Sequence, residues 1–283
     1  MTPYAALSHL RRLGPSGTPA WHNKHVIITG GSQGIGAALA RAIAAREARV
    51  SLIARGEPAL RDTAHRTGAD WATADVTEPS QLAAAIHRLE SDHGPVDVLV
   101  CCAGVAVPGR FADLSRQEIA DQMIVNYLGS VNAVRTVLPG MVERSSGRIV
   151  LTSSTAGLLG VVGYTGYGPT KAAIRHYALA LRYELENTGV TVSVVYPPDT
   201  DTPGFATEST RRPPETAAIA GTIAPIPAHR VADAIMRGVE RGKPHIAIDP
   251  LTKFLTFWVG APENAARPVI NRLISRARIE GRP

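Results

Sequence analysis

Ser154, Tyr167 and Lys171 are the residues of this chain whose types and spacing can do chemistry together. Tyr167 and Lys171 stand four apart in a stretch of helical patterning, which puts them on one face. A free tyrosine, with a pKa of about 10, is a poor acid–base group near neutrality. A neighbouring ammonium favours the phenolate and is expected to lower that value. Lys171 also has the reach to hold the ribose of a bound nucleotide. Ser154 follows a strand-like run, Arg148 to Ser153, and its hydroxyl can hydrogen-bond a substrate oxygen. Such a set moves a proton onto or off a carbonyl oxygen while hydride is exchanged at the carbon. Taken singly, Tyr167 reads as a packing tyrosine and Lys171 as a surface lysine. Their occurrence with Ser154 is what carries the chemistry.

Hydride needs a carrier. The run Thr29-Gly30-Gly31-Ser32-Gln33-Gly34-Ile35-Gly36 lies between a short apolar stretch, His25 to Thr29, and a helical pattern that begins at Gly34. Glycine reaches backbone angles that other residues avoid and lets the chain approach a phosphate. The helix that follows offers free N–H groups and the positive end of its dipole to a pyrophosphate. Gly30, Ser32, Gln33, Gly34, Ile35 and Gly36 are therefore the expected cradle of a dinucleotide. An acid at the end of the second strand would hold the ribose 2′-hydroxyl of NAD. The run there is Ile53-Ala54-Arg55-Gly56, without an acid, and Arg55 suits the 2′-phosphate of NADPH or NADP+. Glu57 lies past the glycine and before Pro58, so it should point elsewhere. Asp75-Val76 is expected to end the third strand, either along an adenine edge or as an ordinary cap of the next helix.

These residues need elements to position them. Apolar runs predict strands at His25–Thr29, Arg49–Ala54, Trp71–Val76, Val96–Cys101, Arg148–Ser153, Thr191–Tyr196 and His245–Ile248. Helical periodicity fills the intervals at Gly34–Arg46, Glu57–Arg66, Glu78–His93, Ser115–Leu138, Tyr167–Asn187 and Val231–Arg241. Such alternation implies an α/β fold, a Rossmann-type doubly wound parallel sheet in a single domain. The expected divisions are an N-terminal arm over 1–22, a dinucleotide-binding and catalytic domain over 23–250, and a C-terminal helical extension over 251–283. Pro197 to Pro227 is rich in Pro, Thr and Gly with no clear period, and reads as an active-site lid or a disordered segment.

The chain has 283 residues, 45% of them hydrophobic and 19% charged, enough to bury one large core without disulfide staples. Its cysteines, Cys101 and Cys102, are adjacent, point to opposite faces of a strand and should not pair, which fits a reducing cytoplasm. The net charge of +6 is spread along the chain, with clusters at Arg11-Arg12 and from Arg267 to Arg282. It reads as a solvated basic surface, or as attraction to an anionic membrane surface or a phosphorylated ligand. No basic–aromatic interleaving points to nucleic acid, no apolar run is long enough to span a bilayer, and no metal ligand set enters the reading.

On these motifs the chain resembles the short-chain dehydrogenase/reductase family over about residues 24 to 250. The resemblance rests on Thr29-Gly30 through Gly36, Cys102-Ala103-Gly104 after the fourth strand, Asn126, Ser154, and Tyr167 with Lys171. It implies that Asn126 completes a catalytic tetrad and anchors a water in the proton relay. It implies that Cys102, Ala103 and Gly104 border the cofactor, and that the assembly is a homodimer or homotetramer. The family often carries Asn-Asn-Ala-Gly where this chain has Cys101-Cys102-Ala103-Gly104.

The run Tyr196-Pro197-Pro198-Asp199-Thr200-Asp201-Thr202-Pro203-Gly204-Phe205 is similar to the 3-ketodihydrosphingosine reductases within that family. Arg212-Pro213-Pro214-Glu215-Thr216 is similar to the same group. This implies a long-chain β-keto amine as substrate, and places Pro197, Thr200 and Thr202 at the cofactor, the threonines at the nicotinamide carboxamide and phosphates. The other readings are a reductase of β-ketoacyl, polyketide or other secondary-metabolite ketones, and a non-catalytic NADP-binding regulator. Phe254-Leu255-Thr256-Phe257-Trp258-Val259 could pack against the domain or a second subunit, line a lipid tail, or anchor the protein peripherally at a membrane.

Overall fold

The computed structural model describes residues 21–220 and 224–279. Continuous apolar runs form strands that are buried on both faces, as a parallel sheet requires. The elements in order are β1 (His25–Thr29), α1 (Gly34–Ala44), β2 (Arg49–Ala54), α2 (Glu57–Thr67), β3 (Asp70–Thr73), α3 (Pro79–His93), β4 (Val98–Cys101), α4 (Arg116–Met123), α5 (Gly129–Glu143) and β5 (Gly147–Thr152). There follow α6 (Tyr167–Glu184), β6 (Val190–Tyr196), β7 (Thr200–Asp201), α7 (Pro203–Ser209), α8 (Pro214–Ala220), β8 (Ile226–Pro227), α9 (Ala228–Glu240), β9 (His245–Ala247) and α10 (Pro250–Ile279).

Seven strands lie in the order β3-β2-β1-β4-β5-β6-β9, every neighbouring pair parallel. Alternate side chains enter two separate cores. Ile27, Leu99 and Leu151 face α3, α5 and α6 through Ile86, Val137 and Ile174. Ile28, Val100 and Val150 face α1 and α9 through Leu39, Ile43 and Ile235. The chain winds outward from β1 to β3 and then returns to β4 on the other side of β1. At that reversal the loops leaving β1 and β4 diverge and open a crevice at the carboxyl ends of the strands, the place where doubly wound sheets bind ligands.

Three expectations change. The third strand stops at Thr73 because its partner β2 ends at Ala54, so Asp75 and Val76 lie beyond it. The helix expected over 115–138 is three pieces, with a π-helical turn at Ile124–Leu128 between α4 and α5, and α5 runs through Pro139 to Glu143. The Pro197–Pro227 segment, expected to be a lid or disordered, contains α7, α8 and a short β7–β8 pair among its described residues. Ion pairs tie it down: Arg211 to Glu118 at 2.7 Å and Arg110 to Glu215 at 2.6 Å.

Most of the expected N-terminal arm, residues 1–20, lies outside the described residues. Trp21, inside the expected arm, is 1% exposed in the core beside α1 and α9, and its indole N–H donates to Glu240 at 2.8 Å.

Candidate active site

The crevice is floored by glycines whose missing side chains make room. A Cβ on Gly30, whose φ is +71°, would lie 2.6 Å from the Ala103 backbone nitrogen, and one on Gly36 would lie 2.3 Å from the Gly30 carbonyl oxygen. The first turn of α1 carries no acidic residue and no side-chain cap, so its N–H groups and dipole face the crevice unopposed. The Ser32 carbonyl is fixed by the Thr63 hydroxyl at 2.8 Å, Gln33 is exposed, and half-buried Ile35 packs on the core under the turn. These features fit a dinucleotide pyrophosphate.

Past the end of β2, exposed Arg55 approaches the Asp75 carboxylate at 3.6 Å. Asp75 also accepts the Thr77 N–H and hydroxyl, both at 2.9 Å. Burial alone would raise Asp75; the Thr77 bonds and the Arg55 charge outweigh it and hold the carboxyl below its ordinary value. Asp75 thus shapes a turn rather than capping α3, whose N-cap is Glu78. Val76 is buried, and its carbonyl accepts the Asn132 amide at 2.9 Å.

After β4, the Cys102 N–H donates to the Thr29 carbonyl at 3.1 Å, which brings Cys102, Ala103 and Gly104 alongside the glycine turn. The Cys102 thiol meets the Thr152 hydroxyl at 3.6 Å, a side-chain contact at the place where the family often has asparagine. Both cysteines are free. Gly104 stands where a Cβ would meet Asn126 Oδ1 at 3.1 Å and Lys171 Nζ at 3.4 Å.

The π-helical turn buries Asn126. Its Oδ1 accepts the Val105 N–H at 2.7 Å, and its Nδ2 donates to the Val105 carbonyl and the Thr170 hydroxyl, each at 2.9 Å. The Asn126 carbonyl accepts the Ser130 hydroxyl at 2.9 Å. The side chain therefore fastens the loop after β4 to α6.

Ser154, Tyr167 and Lys171 converge on this loop. Ser154 Oγ accepts the Ala156 N–H at 3.2 Å and donates to the buried Pro197 carbonyl at 3.4 Å. Lys171 lies within α6, and its Nζ donates to the Thr152 carbonyl at 3.0 Å, 5.6 Å from the centre of the Tyr167 ring. Burial lowers the Lys171 pKa to about 8. Tyr167 moves the opposite way from expectation. It keeps some open surface, but desolvation of the phenol, with the Glu208 charge second, pushes its pKa up against the smaller effect of the nearby Ser154 hydroxyl. The neutral phenol is a proton donor.

Thr200 is buried with its hydroxyl bonded to the Pro198 carbonyl at 2.8 Å. Thr202 caps α7 by accepting the Phe205 N–H at 3.0 Å, and its methyl lies 3.2 Å from where a Gly34 Cβ would be. Of the two, Thr202 reaches the glycine turn.

The sequence reading missed a charged cluster beside the tyrosine. Arg212 bonds both oxygens of Asp199 at 2.7 and 2.8 Å and Glu208 at 2.7 Å, and the Tyr164 hydroxyl donates to Glu208. The Tyr164 and Tyr167 rings are 5.6 Å apart. Glu208 lies in α7, which ends at Ser209, and Arg212 lies beyond it, so helical spacing gave no signal of the pair. A second contact it missed joins α10 to the site: the Thr252 and Thr155 hydroxyls are 3.0 Å apart, one residue from Ser154.

A family model described as short chain dehydrogenase matches residues 24–213. The 3-ketodihydrosphingosine reductase of Bos taurus is 40% identical over 228 residues, covering 77% of this chain and 69% of that protein. The protein of the same name from Dictyostelium discoideum is 36% identical over 253 residues, covering 81% and 76%. Among solved structures, an actinorhodin polyketide ketoreductase with NADPH is similar with a TM-score of 0.73 at 29% identity, over 80% of this chain and 95% of that chain.

The lysine makes a pH prediction. Below pH 8 folded and unfolded chains both carry the Lys171 charge, and the cost of burying it is fully present. From about 8 up to the ordinary lysine value of 10.5 the folded state gives up its proton first, so stability rises with pH. Relative to Lys171→Met, which lacks this effect, the native protein should gain up to about 3 kcal/mol across that window, taking about 1.4 kcal/mol per pKa unit. Urea unfolding of both proteins at pH 7 to 10 measures it; parallel curves would show that the ammonium is not strained by burial.

Proposed function

The chain belongs to the short-chain dehydrogenase/reductase family, and we propose that it uses NADPH to reduce the ketone of a long-chain 3-keto sphingoid base to a secondary alcohol. The observation that carries the reading is the convergence of Ser154, Tyr167 and Lys171 beside the glycine turn. The names of the mammalian and Dictyostelium relatives support the substrate class.

When bound, the reduced nicotinamide supplies the hydride to the carbonyl carbon. Ser154 turns its hydroxyl to the carbonyl oxygen. The Tyr167 phenol, kept neutral by desolvation, gives its proton to that oxygen as negative charge develops there. Lys171 stabilises the phenolate left behind and holds the nicotinamide ribose. Asn126 is a positioning residue, holding the loop after β4 against α6. Arg55 meets the 2′-phosphate, which would take over its loose pairing with Asp75. Gly30, Ser32, Gln33, Gly34, Ile35 and Gly36 receive the pyrophosphate with Thr202. Val76, Cys102, Ala103, Gly104, Pro197 and Thr200 wall the rest of the nucleotide.

A lipid substrate needs an apolar surface near Ser154. Phe254, Phe257 and Trp258 are 59, 65 and 60% exposed on α10, which begins beside Thr155. No described helix is long and apolar enough to cross a membrane. We read the exposed aromatic face as a peripheral contact through which the substrate tail arrives, on a cytoplasmic protein whose free cysteines suit a reducing compartment. A homodimer or homotetramer remains the expected assembly. The actinorhodin ketoreductase likeness favours a polyketide ketone as the second reading.

Tyr167→Phe should lower turnover by ~10²–10⁴ while NADPH still binds, read by stopped-flow rates and cofactor fluorescence. Near-normal turnover would remove Tyr167 from the mechanism. Arg55→Ala should weaken NADPH by roughly 1.5–3 kcal/mol and leave NADH almost unchanged; equal losses in calorimetric titrations would show that Arg55 does not read the phosphate. Each buried methylene contributes about 0.8 kcal/mol, so KM should fall steeply with tail length in a series of 3-ketones sharing one head group. Indifference to the tail would replace the lipid reading with the secondary-metabolite one.

A further inference from the structure

Helix α7 links the two halves of the site. Its capping residue Thr202 touches the glycine turn at Gly34, and Glu208, near its other end, takes the hydroxyl of Tyr164, whose ring lies tilted against that of Tyr167 at 5.6 Å. Every bond that the Glu208 carboxylate receives from the described residues falls on one oxygen. Tyr164 Oη, Arg212 Nη2 at 2.7 Å and Arg212 Nε at 3.3 Å all donate to Oε1, and none donates to Oε2.

Charge in the cluster is unbalanced. Two carboxylates, Asp199 and Glu208, share one guanidinium, which leaves one net negative charge. Arg212 cannot be replaced by a better arrangement of itself. Its side chain is 6% exposed, its donors are already divided between the two acids, and it lies over the Phe205 ring at 4.7 Å and the Tyr164 ring at 5.6 Å. The Glu208 side chain is only 15% exposed, so little water screens its charge.

A fixed anion here is wrong for the reaction alone. Ketone reduction builds negative charge on the substrate oxygen, and a nearby carboxylate opposes it. The cost disappears if the substrate brings its own cation to that carboxylate. Resting on the reading given under Proposed function, we propose that Glu208 selects the substrate by accepting, at Oε2, a hydrogen bond from a protonated amine on the carbon next to the ketone. Arg212 and Tyr164 are the positioning residues that aim the carboxylate. A neutral ketone leaves the charge unanswered, so the same cluster discriminates against β-ketoacyl and polyketide substrates.

Four ketones test this: 2-amino and 2-hydroxy 3-ketones, each with a short and a long alkyl tail, assayed for kcat/KM below neutral pH where the amine is protonated. The native protein should prefer amine to hydroxyl at both tail lengths by about tenfold or more, the factor one charge-assisted hydrogen bond supplies. Glu208→Gln keeps an oxygen for Tyr164 and Arg212 but loses the charge, and should bring the amine-to-hydroxyl ratio close to one. Equal rates on amine and hydroxyl ketones by the native protein overturn the proposal. So does a Glu208→Gln protein that loses all four substrates in proportion, since a merely structural role leaves the ratio unchanged. The tail arms separate the two readings. Amine preference with no tail preference upholds Glu208 and removes the lipid assignment, and the reverse removes Glu208 alone. If the variant does not fold, the native preference decides.

Discussion

Strand β5 and helix α6 are clamped by two reciprocal bonds, and the reacting groups hang from that clamp. Lys171 Nζ donates to the Thr152 carbonyl at 3.0 Å, and the neighbouring Ser153 hydroxyl donates to the Lys171 carbonyl at 2.7 Å. Ser154 is the next residue along the strand side, and Tyr167 lies one helical turn before Lys171. Gly157 makes the approach possible, for a Cβ there would lie 2.7 Å from the Lys171 carbonyl carbon. The ammonium is desolvated and held by a backbone oxygen, an arrangement that is expensive in isolation. The sheet supports it by burying Leu151 and Ile174 on the same side, so the clamp has a rigid floor.

Much of this was legible in sequence, and the reason is local. Strands buried on both faces announce themselves as unbroken apolar runs such as Val-Ile-Ile and Val-Leu-Val. The Tyr167–Lys171 spacing shows a shared helix face without reference to anything distant. What escaped depends on partners far along the chain. The split of the 115–138 helix falls at Asn126, whose side chain bonds Val105 and Thr170, distant partners that periodicity does not register. The end of β3 is set by where β2 stops. The direction of the Tyr167 shift was misjudged because spacing shows the lysine four residues away but not the loss of water around the phenol. The Tyr164, Asp199, Glu208 and Arg212 cluster joins two stretches, one of them read as aperiodic.

The segment after β6 touches both halves of the site. It touches the glycine turn through Thr202 and the tyrosine pair through Glu208, and is held to the α4 side by exposed ion pairs at Arg211–Glu118 and Arg110–Glu215. Exposed pairs of this kind contribute about 0–1 kcal/mol each. The Arg212 cluster is desolvated and multiply bonded, and is the firmer attachment. The segment is thus anchored beside the tyrosine pair and lightly held at its outer edge.

The indole of Trp21 bonds a carboxylate 219 residues later in the chain. A ribosome adding about 5–20 residues each second leaves that large apolar ring without its partner for roughly 10–45 s. The same delay holds for the sheet, since every strand pair is parallel and must wait for a crossover before it can close. The glycine turn lacks Thr202 until the segment after β6 has emerged, so the nascent chain carries its edges and Trp21 exposed. Aggregation during synthesis, rather than instability of the finished fold, is the hazard this topology carries.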